Sequence, residues 1–392
     1  MKKILFISWD GPETSYMEGL FMPIFNEIQK QRECIQFHCI QFSWDNNGKP
    51  QKEAAKKFNI AYTLVPIARK PIASLASFYT LLRGHRIIKA YAKKHQIDIL
   101  MPRSNFPAFM VNRANLRLPI VFDADGLPIE ERIDFTDLRK KSFLCFFLKS
   151  IEKKTITTSS LVLTRSDFAN KYLSENYNVN SNKFFVVYNG RDKNFFKFNQ
   201  IDRDKIRRKY NLKDKKILVY CGSLDGNKYL LKEMINVFHH FKLSNPNSKF
   251  LILSGSKNIL ENIPNELRKD FIIKNIRYND VPKFLSASDY SIGIIRNSLS
   301  MKAVSAVKLG EYLLIGLPVI FSRNIGDSST VLDGLENSIL YDVNSSCKLS
   351  KAVSFLQNQH SINIKKNRER GIKYYSLEKS AESYVRAIER IS

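Results

Sequence analysis

Carboxylates are scarce in this chain: 37 Asp and Glu stand against 63 Lys and Arg, which leaves a formal charge of +26. An excess of that size implies an anionic surface as partner, either phospholipid or nucleic acid. No RNA- or DNA-binding motif accompanies it, and the basic residues are scattered instead of gathered in one arm or recognition helix. That pattern favours a membrane surface and no nucleic acid. The five cysteines are an odd set without metal-ligand spacing, which excludes a disulfide framework and reads as reduced, buried thiols. None of the six histidines sits in a metal pattern; His239 and His240 fall within a helical stretch and His38 within a strand. No window reaches the roughly 18 uninterrupted apolar residues of a membrane span. The opening run from Met1 to Ser8 is too short for a signal segment and reads as a first strand. The expectation is a cytoplasmic protein, at most peripheral on the inner face of the cytoplasmic membrane.

What is present is an alternation of short β-rich runs with longer helical patterns, the rhythm of a parallel α/β sheet. Strands are expected at Ile4 to Ser8, Ile60 to Val65, Ile97 to Met101, Ile120 to Phe122, Leu161 to Thr164 and Phe184 to Val187. Tyr188-Asn189-Gly190 breaks the series, and a charged segment from Asp192 to Lys215 leads to a second one. That begins at Lys216 to Cys221 and continues through Lys249 to Leu253, Phe271 to Ile273, Tyr290 to Ile295 and Pro318 to Phe321. A chain of 392 residues exceeds one ordinary core. The expected division is residues 1–190, residues 191–374 and a terminal amphipathic helix at 375–392.

The stretch from Lys308 to Ile320 carries the most chemistry. Helix formers run from Val304 to Ile315, Gly316 suits a left-handed stop, Pro318 prevents continuation, and a buried strand follows. Ser305, Lys308 and Glu311 recur at three-residue steps on roughly one helix face. A hydroxyl, a cation and an anion then converge where the helix dipole favours phosphate, an arrangement suited to a nucleotide diphosphate sugar.

This segment resembles the donor-binding helix of the GT-B glycosyltransferases, in particular the retaining group called family four. The match lies in Lys308, Glu311-Tyr312-Leu313 and Gly316-Leu317-Pro318-Val319; the first family glutamate is replaced by Ala303. The resemblance implies two Rossmann-like domains facing across a cleft, an N-terminal one for the acceptor and a C-terminal one for the nucleotide sugar, with the last helix crossing back to the first domain. Tyr220-Cys221-Gly222-Ser223-Leu224 is similar to the family loop that bends over the donor, with Lys228 in place to meet the diphosphate. Asn275 to Asp289 looks like the nucleobase loop, with Arg277 and Tyr278 near the base. In the first domain Gly11 belongs to a turn like the one that approaches the donor. Phe122 to Arg132 resembles a family segment in which Asp125 replaces an arginine; Asp123 and Asp125 are candidates for acceptor or sugar contacts or else loop caps, Glu131 is a candidate acceptor contact, and Arg103 could line the same edge. Asp123-x-Asp125 has the spelling of a metal site, yet the resemblance implies no metal and no cofactor.

The expected activity is transfer of a sugar from a nucleotide-sugar donor to a carbohydrate or lipid-linked acceptor. Retention of configuration and a place in cell-envelope polysaccharide synthesis are expected with it. Glu311 would orient the donor, while Lys228 and Lys308 stabilise the leaving diphosphate. A nucleotide-sugar epimerase and a non-catalytic subunit of the same fold stay open. One basic segment, Arg139 to Lys154, sets Phe143, Leu144, Phe146, Phe147 and Ile151 among cations. It fits either an interfacial helix or an ordinary helix with its stripe in the core.

Overall fold

The structure, a computed structural model, describes residues 1–10, 16–45, 47–358 and 364–391. The chain divides into two compact units, one formed by Met1–Gly190 with Leu377–Ser392 and the other by Arg191–Ser376.

In the first unit, β1 (Lys2–Asp10), β2 (Ile35–Ser43), β3 (Ala61–Pro66) and β4 (Ile99–Pro102) form a parallel sheet ordered β3-β2-β1-β4. A second parallel set, β5 (Val121–Asp125), β6 (Leu161–Thr164) and β7 (Phe184–Val186), continues it through single bridges between Leu100 and Ile120 and between Arg103 and Asp123. Alternate residues of β1 explain why both sheet faces are covered. Ile4 and Phe6 enter one core and Leu5 and Ile7 the other. The first core also takes Ala381, Tyr384, Val385 and Ile388 from the terminal Leu377–Ile388 helix. The second is closed by the Ala73–His95 and Asn105–Ala114 helices.

The second unit is a six-stranded parallel sheet of β8 (Lys216–Cys221), β9 (Ser248–Leu253), β10 (Phe271–Lys274), β11 (Tyr290–Gly293), β12 (Val319–Ser322) and β13 (Ser338–Tyr341), ordered β10-β9-β8-β11-β12-β13. In both units the strand order reverses beside the first strand, as in Rossmann-like sheets, and ligands of such sheets bind at the carboxyl edge near that reversal. β13 is absent from the strands expected above, and of β2 only the place of His38 is expected there. β2 ends in polar Gln41 and Ser43, whose burial against Asp10 hides the strand from a hydrophobic count.

Candidate functional site

The Glu311 helix runs from Val307 to Ile315, three residues shorter at its start than the sequence suggests. Val304 is extended, and Ser300–Ala303 forms a separate short turn, so Ser305 precedes the helix instead of sharing its face. Its end is as expected. Gly316 is left-handed at φ 93°, its N–H reaches the Leu313 carbonyl at 2.9 Å, and the Leu317 N–H reaches Tyr312 at 3.0 Å. This pattern satisfies the last carbonyls and releases the chain directly into β12.

Three contacts define the second unit's site. Arg191 Nε donates to Glu311 Oε1 at 2.9 Å, with both residues buried. Lys308 Nζ donates to Tyr229 Oη at 2.8 Å and lies 4.0 Å from the centre of that ring and 5.6 Å from Tyr220. Gly222, at φ 137°, follows β8, and a Cβ there would fall 2.0 Å from Lys308 Cε. The backbone after β8 is therefore laid against the lysine stem, an approach only glycine allows. Lys228 Nζ comes within 5.9 Å of the same Tyr229 ring, so the two expected cations share one aromatic neighbour.

The charges are felt by their neighbours. Burial pushes the Cys221 thiol up to about 12, with Glu311 adding to the shift and Lys308 opposing it. Burial likewise raises the Tyr278 hydroxyl to about 12, with Arg191 opposing and Glu311 adding. Tyr278 stacks on Phe195 at 5.3 Å, forming a partly exposed aromatic ledge, while Arg277 is exposed beside it. Tyr312, fully buried, receives the Cys221 N–H at 2.9 Å and ties β8 to the helix. Ser223 is exposed and donates to Asp225 at 2.9 Å. Ser305 Oγ is buried with no hydrogen-bond partner among the described residues.

In the first unit, Asp123 and Asp125 close β5. Asp125 takes a left-handed conformation, φ 64°, across an irregularity in the β5–β6 pairing. The pair is tied to two guanidinium groups: Arg165 Nη2 donates to Asp123 at 2.9 Å, and Arg103 Nη2 donates to Asp125 at 2.6 Å. Burial works against charge on Arg103, but Asp125, Asp123 and Asp10 hold its pKa above the ordinary value. Arg165 is raised in the same way, burial being outweighed first by Asp123. Glu131 lies on the Pro128–Phe135 helix and is half-buried. Its neighbour Glu130 is the buried carboxylate, bound by Lys149 and by Tyr172 at 2.8 Å. Gly11 lies outside the described residues.

Arg191, Tyr229, Arg165 and Asp10 escape a reading of the sequence. Arg191 stands just before the charged segment that looks like linker; its backbone N–H donates to the Tyr375 carbonyl at 2.7 Å, and its side chain turns to Glu311. Arg165 directly follows a strand, a position that could have flagged it.

Residues 32–195 match the family model described as Glycosyltransferase Family 4. A glycosyltransferase from Rickettsia africae superposes with TM-score 0.72 at 15% identity, covering 100% of both chains. The Anabaena protein HepE, solved in complex with UDP, gives 0.71 at 15% identity over 99% of this chain and 100% of its own. Sucrose-phosphate synthase from Thermosynechococcus elongatus gives 0.71 at 14% identity over 100% of this chain and 99% of its own. No curated protein matches the sequence.

Proposed function

We propose that this chain is a GT-B glycosyltransferase of the family-four type that uses a nucleotide-sugar donor, holding that donor in its second unit and a carbohydrate or lipid-linked acceptor in its first. The observation that carries the reading is Lys308, laid against bare Gly222 backbone and ringed by Tyr220 and Tyr229. A cation held this way, with the Ser305 hydroxyl, unpartnered among the described residues, three residues earlier, suits a diphosphate. HepE was solved with UDP, and we take a UDP-sugar as the first donor to test. The Tyr278 ledge is assigned to the base, with Arg277 beside it.

In this scheme Glu311, oriented by Arg191, accepts a hydroxyl of the donor sugar or ribose. Lys308 and Lys228 take up negative charge as the bond between the anomeric carbon and the phosphate oxygen breaks. An acceptor hydroxyl forms the new bond on the face the diphosphate leaves, and its proton passes to a departing phosphate oxygen. Configuration is retained. Asp123, Asp125, Arg103 and Glu131 are assigned to the acceptor side, in cell-envelope polysaccharide synthesis at the cytoplasmic face of the membrane.

The test is incubation of a UDP-sugar with saccharide and lipid-linked acceptors, following UDP release and the anomeric configuration of the product by NMR. Acceptor-dependent release with retained configuration supports the scheme. Conversion of donor with no acceptor consumed would instead mean an epimerase.

A further inference from the structure

The Ala73–His95 helix of the first unit carries two apolar stripes, where a helix packed on a sheet needs one. Ala76, Leu81, Gly84, Ile88 and Ala92 face the core. On the opposite side of its first turns Leu75 is 64% exposed, with Phe78 and Tyr79 about half exposed and Ile72 just ahead of them. Nearby cations lie on aromatic faces: Arg83 sits 4.5 Å from the Tyr79 ring centre, and Arg69 sits 4.5 Å from exposed Trp44 at the end of β2. Residues 54–97 hold nine lysines and arginines and no aspartate or glutamate.

A second exposed cluster heads the Phe143–Thr158 helix. Cys145, Leu148 and Ile151 are buried, whereas Phe143 is 86% exposed, Phe146 is 62% exposed, and Arg139, Lys140 and Lys141 stand before them. The basic aromatic segment thus combines a buried stripe with an exposed tip. The Asn105–Ala114 helix packs against both helices, through Phe109 on Phe147 in the second case.

Topology places these clusters together. The strands of the sheet are parallel, and the two helices run back to the starts of β4 and β6, so both begin at the carboxyl edge. Trp44 also follows a strand out at that edge, as do Arg103, Asp123 and Asp125. Exposed aliphatic and aromatic tips interspersed with cations are the make-up of an interfacial surface, in which apolar groups enter the headgroup boundary and cations meet anionic lipid.

We propose that the starts of these two helices, with Trp44, form a docking face for an anionic phospholipid bilayer, which brings a lipid-borne acceptor to the carboxyl edge of the first unit. The last clause rests on the acceptor assignment above; the docking does not.

Co-sedimentation with phosphatidylcholine vesicles, with and without phosphatidylglycerol, tests it, alongside the emission of Trp44. The full chain binds only the anionic vesicles, with a blue shift that is lost in Trp44→Phe. A Leu75→Ser, Phe78→Ser, Phe146→Ser protein partitions at least about tenfold more weakly, as expected for side chains that leave an apolar phase. Its circular dichroism and its thermal shift with UDP stay unchanged, which separates loss of docking from loss of the donor site. No binding of the full chain to anionic vesicles overturns the proposal. So does binding that survives the triple substitution and vanishes with salt, which would mark a general polyanion surface such as one for RNA.

Discussion

Arg191 and Glu311 are 120 residues apart in sequence and joined by a 2.9 Å hydrogen bond in which each side chain is about nine-tenths buried. The glutamate that the sequence marks most clearly is therefore an ion-paired group whose direction is set by its partner. Removing one member of such a pair leaves the other charge buried and unpaired. Arg191→Ala should cost about 3–5 kcal/mol of unfolding free energy, while Glu311→Gln, which keeps the shape and an acceptor oxygen, should cost clearly less. Urea denaturation of both proteins checks the order.

Gly222→Ala should damage the site without removing any charged group. A Cβ at that position would sit 2.0 Å from Lys308 Cε, and the φ of 137° is strained for any L side chain. The lysine stem can swing aside, but the backbone strain stays, at about 1–3 kcal/mol. The expected result is a modest loss of stability in urea together with weaker UDP binding in titration, since Lys308 no longer rests in its place between Tyr220 and Tyr229.

Alkaline pH should destabilise the fold through its buried thiols. Cys221 is pushed up to about 12, and burial raises Cys39 further still. An unfolded thiol titrates near 8.5. Raised native values mean that the unfolded state loses its protons first, so the contribution of these thiols is constant below about pH 8 and falls as pH climbs toward 12. Each thiol contributes about 1.4 kcal/mol per pH unit across that window. Urea curves at pH 7 and pH 10 measure it, and Cys221→Ser should flatten the slope.

Much of the second unit was legible because its signals are local. Gly316 and Pro318 mark where the helix stops, and the structure answers with paired carbonyl caps and β12. The apolar runs of β8, β9 and β12 announce buried strands. The partners were not legible, because they come from elsewhere in the chain. Arg191 looks like the edge of a linker until its bond to Glu311 is seen, and Tyr229 is tied to Lys308, 79 residues away in sequence. Ser305 shows the limit of periodicity. Three-residue spacing put it on the Glu311 face, but the extended backbone at Val304 starts the helix two residues later. In the first unit, the Asp123 and Asp125 pair was readable from the strand before it. Arg103 was placed on the same edge, but Arg165 depends on β6 being a neighbour of β5, which no spacing reveals.

The most direct test of the donor site is calorimetric titration of UDP into the full chain and into Lys308→Ala. The arrangement of Lys308, Gly222 and the two tyrosines predicts saturable one-site binding that weakens by about tenfold or more when the ammonium is removed, a loss in the range of a hydrogen bond to a charged group. Equal affinity in the two proteins would contradict it, because the diphosphate would then lie somewhere other than against Lys308.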